Sequence, residues 1–137
     1  MYDRFKFRVW DNKEQDYQET DADYCHVNYK GELECRFTND NGLYCNYVYI
    51  DDYVIEQCTG LKDKNGTLIY EGDIVLINKR RKKVYWFNGA FFCDDIREYE
   101  FNGKDPAALH YWLANGYDIE IIGNIHEENR TNKTDKY

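Results

Sequence analysis

The chain has 137 residues, with 18 Lys and Arg against 26 Asp and Glu, a formal net charge of −8 and an aromatic content of 18%. That length fits one domain, or a small domain with an appendage, and an apolar content of 42% is too high for a disordered chain. No apolar run approaches the length of a membrane-spanning helix, and the polar start Met-Tyr-Asp-Arg is not a secretory signal. Over residues 4–10, Phe5, Phe7 and Val9 alternate with Lys6, Arg8 and Trp10, the period-two pattern of a strand. Asp11-Asn12-Lys13 ends it as a turn, and the acidic stretch 11–23 reads as a loop or an edge hairpin. Asp23-Tyr24-Cys25, Leu33-Glu34-Cys35 and Leu43-Tyr44-Cys45 then recur at ten-residue intervals, separated by Asn28-Tyr29-Lys30-Gly31 and Asn39-Asp40-Asn41-Gly42. Asn-Gly signals a two-residue type I′ turn, in which both central residues take positive φ, so residues 24–50 are expected to form an antiparallel meander.

A short strand is expected at Tyr53–Cys58, followed by a polar hairpin turn over Lys62–Thr67. Glu71-Gly72-Asp73 makes a sharp bend before Ile74-Val75-Leu76-Ile77, an aliphatic run that suits a strand buried on both faces. Further strands are expected at 67–70, 73–78, 84–88, 90–93 and 118–123, with Ile96 to Phe101 as an extension of the fourth. Between the last two, Asp105 is a suitable N-cap, Pro106 fits the first helical position and Asn115-Gly116 fits the stop, which predicts a helix over 105–115. Leu109, Trp112 and Leu113 give it one apolar face. The expected fold is mainly β with one short helix: an acidic antiparallel meander over 1–58, a small SH3-like barrel over 59–126 with the helix inserted, and a flexible tail over 127–137.

The charge is unevenly distributed. Residues 1–58 hold 6 basic and 13 acidic groups, whereas residues 59–137 hold 12 and 13. Lys79, Arg80, Arg81, Lys82 and Lys83 form one unbroken basic run, read as a solvated hairpin turn. With Trp86 beside it, the run is also the candidate site for an anion, a nucleotide or single-stranded nucleic acid, although the net charge repels nucleic acid. Tyr44, Tyr47, Tyr49 and Tyr53 crowd together, and tyrosine clusters mark interfaces, so they are the candidate interaction residues. Asp11, Glu14, Asp16, Glu19, Asp21 and Asp23 suggest a different partner, a basic host protein such as a nuclease whose DNA groove an acidic surface would fill.

Catalytic patterns are not found. The five Cys contain no C-x-x-C, and reduced thiols are expected. His26, His110 and His126 stand in unrelated contexts, and no G-x-S-x-G or H-E-x-x-H occurs. Asp51-Asp52 and Asp94-Asp95 are adjacent, so on a strand they point to opposite faces. The sequence therefore predicts no enzyme, metal or cofactor.

Three blocks carry a family resemblance. Thr59-Gly60-Leu61-Lys62-Asp63-Lys64-Asn65-Gly66 followed by Ile69-Tyr70-Glu71-Gly72-Asp73-Ile74-Val75 resembles the signature of the YopX family. Phe5-Lys6-Phe7-Arg8-Val9-Trp10-Asp11 resembles the family's start, and Ile122-Gly123-Asn124-Ile125-His126-Glu127 resembles its end. The resemblance implies an accessory protein of phages or prophages of Gram-positive bacteria, acting in the host cytoplasm, β-rich and assembled as a homo-oligomer. It implies no catalytic residues. Within the signature, Thr59, Gly60, Leu61, Asn65, Gly66, Tyr70, Gly72 and Asp73 are expected to be structural, with Asp73 accepting backbone N–H groups at the bend.

Overall fold

Alternation of apolar and polar residues sets most of the strands, and Gly, Asn and Asp set where they stop. The computed structural model describes residues 5–18, 25–49, 52–96 and 107–127. The fold is mainly β, with antiparallel sheets and few short helical segments. It divides into two compact units, one of Phe7–Glu56 and one of Met1–Lys6 with Gln57–Tyr137.

In the first unit, β1 (Phe7–Asp11) pairs with β2 (Asp16–Tyr17) as an edge hairpin. The expected strand thus begins later and runs one residue further than the alternation indicated. Asp11 is buried at its end, and its Oδ1 accepts the N–H groups of Lys13 and Glu14 at 2.8 and 3.1 Å. The meander forms as β3 (Cys25–Val27), β4 (Leu33–Thr38) and β5 (Tyr44–Tyr49) in that order across a three-stranded sheet. Val9, Leu33 and Cys35 form the core of this unit, with Phe7, Tyr53 and Ile55 packed against it.

The meander loops differ from the expected two-residue turns. Positive φ occurs at Gly31 and Gly42 but not at the Lys30 or Asn41 that precede them. Instead, Asn28 Oδ1 accepts the N–H groups of Lys30 and Glu32, and Asn39 Oδ1 accepts those of Asn41 and Leu43. Each loop is closed by the side chain of its first residue and a left-handed glycine three positions on.

The expectation of reduced thiols fails at Cys35, which is disulfide-bonded. The ten-residue spacing has a physical consequence here: the loop centred at residue 30 places Cys25 directly across the ladder from Cys35. Cys45 is free and exposed, while Cys58 and Cys93 are free and buried. Burial pushes the Cys93 thiol up to about 12, against the opposing effect of the Lys82 ammonium. Iodoacetamide on the native protein should therefore label Cys45 and leave Cys58 and Cys93 unlabelled until denaturant is added. Labelling of Cys35 should need a reductant as well. Peptide mass spectrometry reads all four positions.

In the second unit, the C-terminal half of β6 (Tyr53–Lys62) pairs with β7 (Leu68–Tyr70). A curled half-barrel follows. It contains β8 (Asp73–Ile77), β9 (Arg80–Phe87), β10 (Ala90–Asp95), β11 (Ala107–Ala108) and β12 (Ile119–Asn124), in the order β11-β10-β9-β8-β12. Ile69, Val75, Ile77, Val84, Cys93, Leu109 and Ile119 form its core. The run in β8 is buried as expected, with only Leu76 partly exposed.

The helix α1 spans Leu109–Ala114 rather than 105–115. Ala107 and Ala108 take extended conformations and pair with Cys93 and Phe92, so helix formation starts only where the ladder lets the backbone go. Ala108 occupies the N-cap without a side-chain hydrogen bond, and the expected caps Asp105 and Pro106 lie outside the described residues. The expected apolar face is present: Leu109 is in the core, with Trp112 and Leu113 packed against it. The expected extension through Phe101 and the tail beyond Glu127 also lie outside the described residues.

Candidate functional site

The basic run is not a solvated turn. Only Lys79 lies in the turn, where Asn78 and Lys79 have φ of 50° and 65° and Ile77 pairs with Arg80. Two consecutive positive φ values make this a true two-residue hairpin turn, as does Asn88-Gly89 at the other end of β9. Arg80, Arg81, Lys82 and Lys83 are the first half of strand β9, and pleating sends them alternately to opposite faces.

One face is covered by α1. Lys82 is buried there, its Nζ donating to Asp95 Oδ1 at 2.7 Å and lying 4.9 Å from the centroid of the Trp112 ring. Arg80 donates to Asp95 Oδ2 at 3.0 Å. The Lys82 hydrogen bond is the main reason that the Asp95 carboxyl sits below its ordinary value, outweighing its partial burial. Trp86 is on this face too, in edge-to-face contact with Phe91 at 4.9 Å. Arg80 and Lys82 therefore share one carboxylate, a partner on the next strand that the sequence pattern does not signal.

The opposite face carries Arg81 and Lys83, then Tyr85 and Phe87, with Phe92 across the ladder from Tyr85. The three rings contact one another, with centroid separations of 6.3 Å for Tyr85–Phe92, 6.5 Å for Tyr85–Phe87 and 6.1 Å for Phe87–Phe92. Burial and the nearby Asp94 raise the Tyr85 hydroxyl above its ordinary value.

The signature residues serve the backbone. Thr59 Oγ1 donates to Ile69 O at 2.8 Å and accepts the Leu61 N–H at 3.1 Å. Gly60, with φ of 80°, stands where the β6–β7 register slips, and Leu61 packs against the core. Asp63 is buried at the hairpin tip, where Oδ1 accepts the N–H groups of Asn65 and Thr67 and Oδ2 accepts that of Ile121 on β12. Gly66 closes that loop with φ of 81°. Asp73 Oδ2 accepts the Tyr70 N–H at 2.8 Å across the bend, and Gly72, with φ of 88°, donates to Val84 O. Gly72 O in turn accepts the N–H of Ile125. The signature block thus bonds β12 at Ile121 and the closing block at Ile125, just past the strand's end.

Of the four tyrosines, the side chains of Tyr53 and Tyr44 can be placed. Tyr53 packs against the first unit's core, with its hydroxyl accepting from Gln18 Nε2 at 3.2 Å. Tyr44 is 71% exposed and lies under the Arg36 guanidinium at 5.0 Å. The backbones of Tyr47 and Tyr49 pair with Cys35 and Leu33, and their side chains lie outside the described residues. Of the acidic stretch, Asp11 is buried and held below its ordinary value; burial opposes this, but the N–H groups of Glu14 and Lys13 prevail. It is not displayed as a phosphate mimic. Glu14 and Asp16 are exposed, and Glu19, Asp21 and Asp23 lie outside the described residues.

One buried carboxylate had no sequence signal. Glu56 Oε1 accepts from Arg8 Nε and from the Tyr17 hydroxyl, both at 2.8 Å, and the Arg8 guanidinium lies 4.5 Å from the Tyr17 ring centroid. This holds the edge hairpin to β6 within the first unit. Among the described residues, no three His, Cys, Asp or Glu are grouped to hold a metal ion, and no helix is long and apolar enough to cross a membrane.

Comparison with known proteins places this geometry. The family model described as YopX protein matches residues 6–130. The crystal structure of protein yopX from Bacillus subtilis is similar with a TM-score of 0.58 at 19% identity, over 90% of this chain and 94% of that one. Protein EF1440 from Enterococcus faecalis is similar with a TM-score of 0.48 at 26% identity, over the same shares of each chain, 90% and 94%. None of the curated proteins compared with the chain matches it.

Proposed function

Because the chain belongs to the YopX family, we propose that it is a phage or prophage accessory protein that acts by binding and self-assembly in the host cytoplasm, not by catalysis. The observation that carries this reading is strand β5. Among the described residues it has one neighbour, β4, so its other edge presents unpaired backbone groups. Its sequence, Tyr-Cys-Asn-Tyr-Val-Tyr, has no charge, no Gly and no Pro. Edge strands that must stay single normally carry one of these devices. The strand also suits its own antiparallel copy. A two-fold axis through Asn46, perpendicular to the sheet, sets Asn46 against its own copy, Cys45 against Tyr47 and Tyr44 against Val48, with no like charges opposed.

Size-exclusion chromatography with light scattering tests the reading at tens of micromolar. The expected mass is a multiple of 16.6 kDa. Asn46→Lys, which places a charge at the centre of the pairing, should weaken the assembly by about tenfold or more, equivalent to roughly 1.4 kcal/mol. Tyr47→Cys should crosslink to Cys45 of a second copy on oxidation. A monomeric wild-type protein overturns the proposal.

A further inference from the structure

The second unit holds a face that the assembly reading does not use. Pleating of β9 divides the basic run: Arg80 and Lys82 turn toward α1 and Asp95, while Arg81 and Lys83 turn to the other side. On that other side the strand continues with Tyr85 and Phe87, and β10 adds Phe92. Arg81 and Lys83 are exposed, and Phe87 is 46% exposed. The ammonium groups of Lys83 and of the turn residue Lys79 have no hydrogen-bond or ion-pair partner among the described residues. Asp94 stands across the ladder from Lys83, but its Oδ1 accepts the Asp95 N–H at 2.7 Å. At the far side of the sheet, Glu120 is paired with Lys64 at 3.2 Å. Cations therefore lie at one end of this strip and a cluster of three rings, with Phe87 edge-to-face on Phe92, at the other.

We infer that this face of β9 and β10 binds a short stretch of single-stranded nucleic acid, with phosphates at Lys83 and Lys79 and an unpaired base stacked on Phe87. Charge complementarity favours this occupant. A double helix hides its base faces, and an acidic peptide has no use for the ring cluster, whereas an unpaired strand needs both. The acidic excess of the whole chain does not apply here, because residues 59–137 hold 12 basic and 13 acidic groups, and four of the basic ones are consecutive on β9. Stacking on an aromatic ring is tolerant of sequence, so a broad base preference is expected. The surface belongs to a different unit from β5, and the two readings fail independently.

The test is fluorescence anisotropy of the full chain with labelled oligothymidylate and oligouridylate of about 15 nucleotides, at about 50 mM salt. Binding of either supports the proposal, and the two arms separate DNA from RNA. Phe87→Ala should weaken binding about tenfold. Lys83→Ala should flatten the slope of log K against log salt by about 0.7. Arg80→Ala, on the other face, should leave affinity within about twofold. Should a variant unfold, photo-crosslinking of the wild-type protein to a bromouridine oligonucleotide locates the contact, with Tyr85, Phe87 or Phe92 expected in the linked peptide. Three results overturn the inference: no anisotropy change for either strand, equal capture of inorganic polyphosphate with no effect of Phe87→Ala, or crosslinks that map elsewhere.

Discussion

Asp95→Ala is expected to destabilise the second unit by about 3–5 kcal/mol, the usual result of removing one partner from a buried ion pair. Lys82 is 7% exposed, and its ammonium would be left over the Trp112 ring without the carboxylate that accepts its hydrogen bond at 2.7 Å. Lys82→Met should behave differently. It removes the buried charge itself, fills similar volume, and leaves Asp95 at the margin of the sheet with Arg80 still 3.0 Å away. The expected change is about 1 kcal/mol or less, in either direction. Combining Asp95→Ala with Lys82→Met should recover at least half of the single-variant loss. Urea unfolding of the three variants measures this. If Asp95→Ala alone costs under about 1 kcal/mol, the pair is not a buried ion pair in the energetic sense.

Asp63→Ala is expected to cost about 3 kcal/mol, because one carboxylate accepts three backbone N–H groups and charged acceptors make the stronger hydrogen bonds. Comparison of the three similar loops explains the residue choice. Asn28 and Asn39 each accept two N–H groups with one oxygen, and an amide suffices. Asp63 needs its second oxygen for Ile121, where an amide would present a donor to a donor. Asp63→Asn should therefore fall between wild type and Asp63→Ala.

Acid should act on the same bonds. Burial pushes the Asp63 carboxyl up, but the N–H groups of Thr67, Ile121 and Asn65 outweigh it and hold it below its ordinary value. Asp95 and Asp11 are lowered as well. A carboxyl that titrates lower in the fold than in the unfolded chain contributes in full above the unfolded value, about 3.9, and loses that contribution as pH falls through the folded value. Melting temperature should thus be insensitive to these groups at neutral pH and fall steeply below about pH 4. The fall should be shallower in Asp63→Asn, which thermal melts at descending pH would show.

These groups also mark how far the sequence could be read. The strands of the meander and of β8 were legible because their patterns repeat every two residues or are wholly aliphatic. The first half of β9 was not, because five consecutive cations show no alternation until Asp95, on the next strand, gives two of them a reason to face inward. The helix start was misplaced for a related reason. Asp105 and Pro106 are sound local signals, yet the pairing of Ala107 and Ala108 with β10 is a contact made through space. Gly60, Gly66, Gly72 and Asp73 were legible as structural because their conformational and hydrogen-bonding needs are local. On the candidate face of β9 the cations are legible in the sequence, whereas the face of each ring is not: pleating puts Trp86 on the side of Lys82 and Phe87 on the side of Lys83.

The side-chain-closed loops bear on how the chain reaches its fold. Asn28, Asn39 and the Oδ1 of Asp63 each make their loop bonds within five residues, so the hairpins they connect require almost no loop closure before their ladders begin. The pairing of β12 with β8 is the opposite case, joining Ile119 to Ile77 across a long intervening segment. Kinetics should separate the two: early, local hairpins, then one slow docking of the last strand, at which the Asp63–Ile121 and Gly72–Ile125 bonds form together.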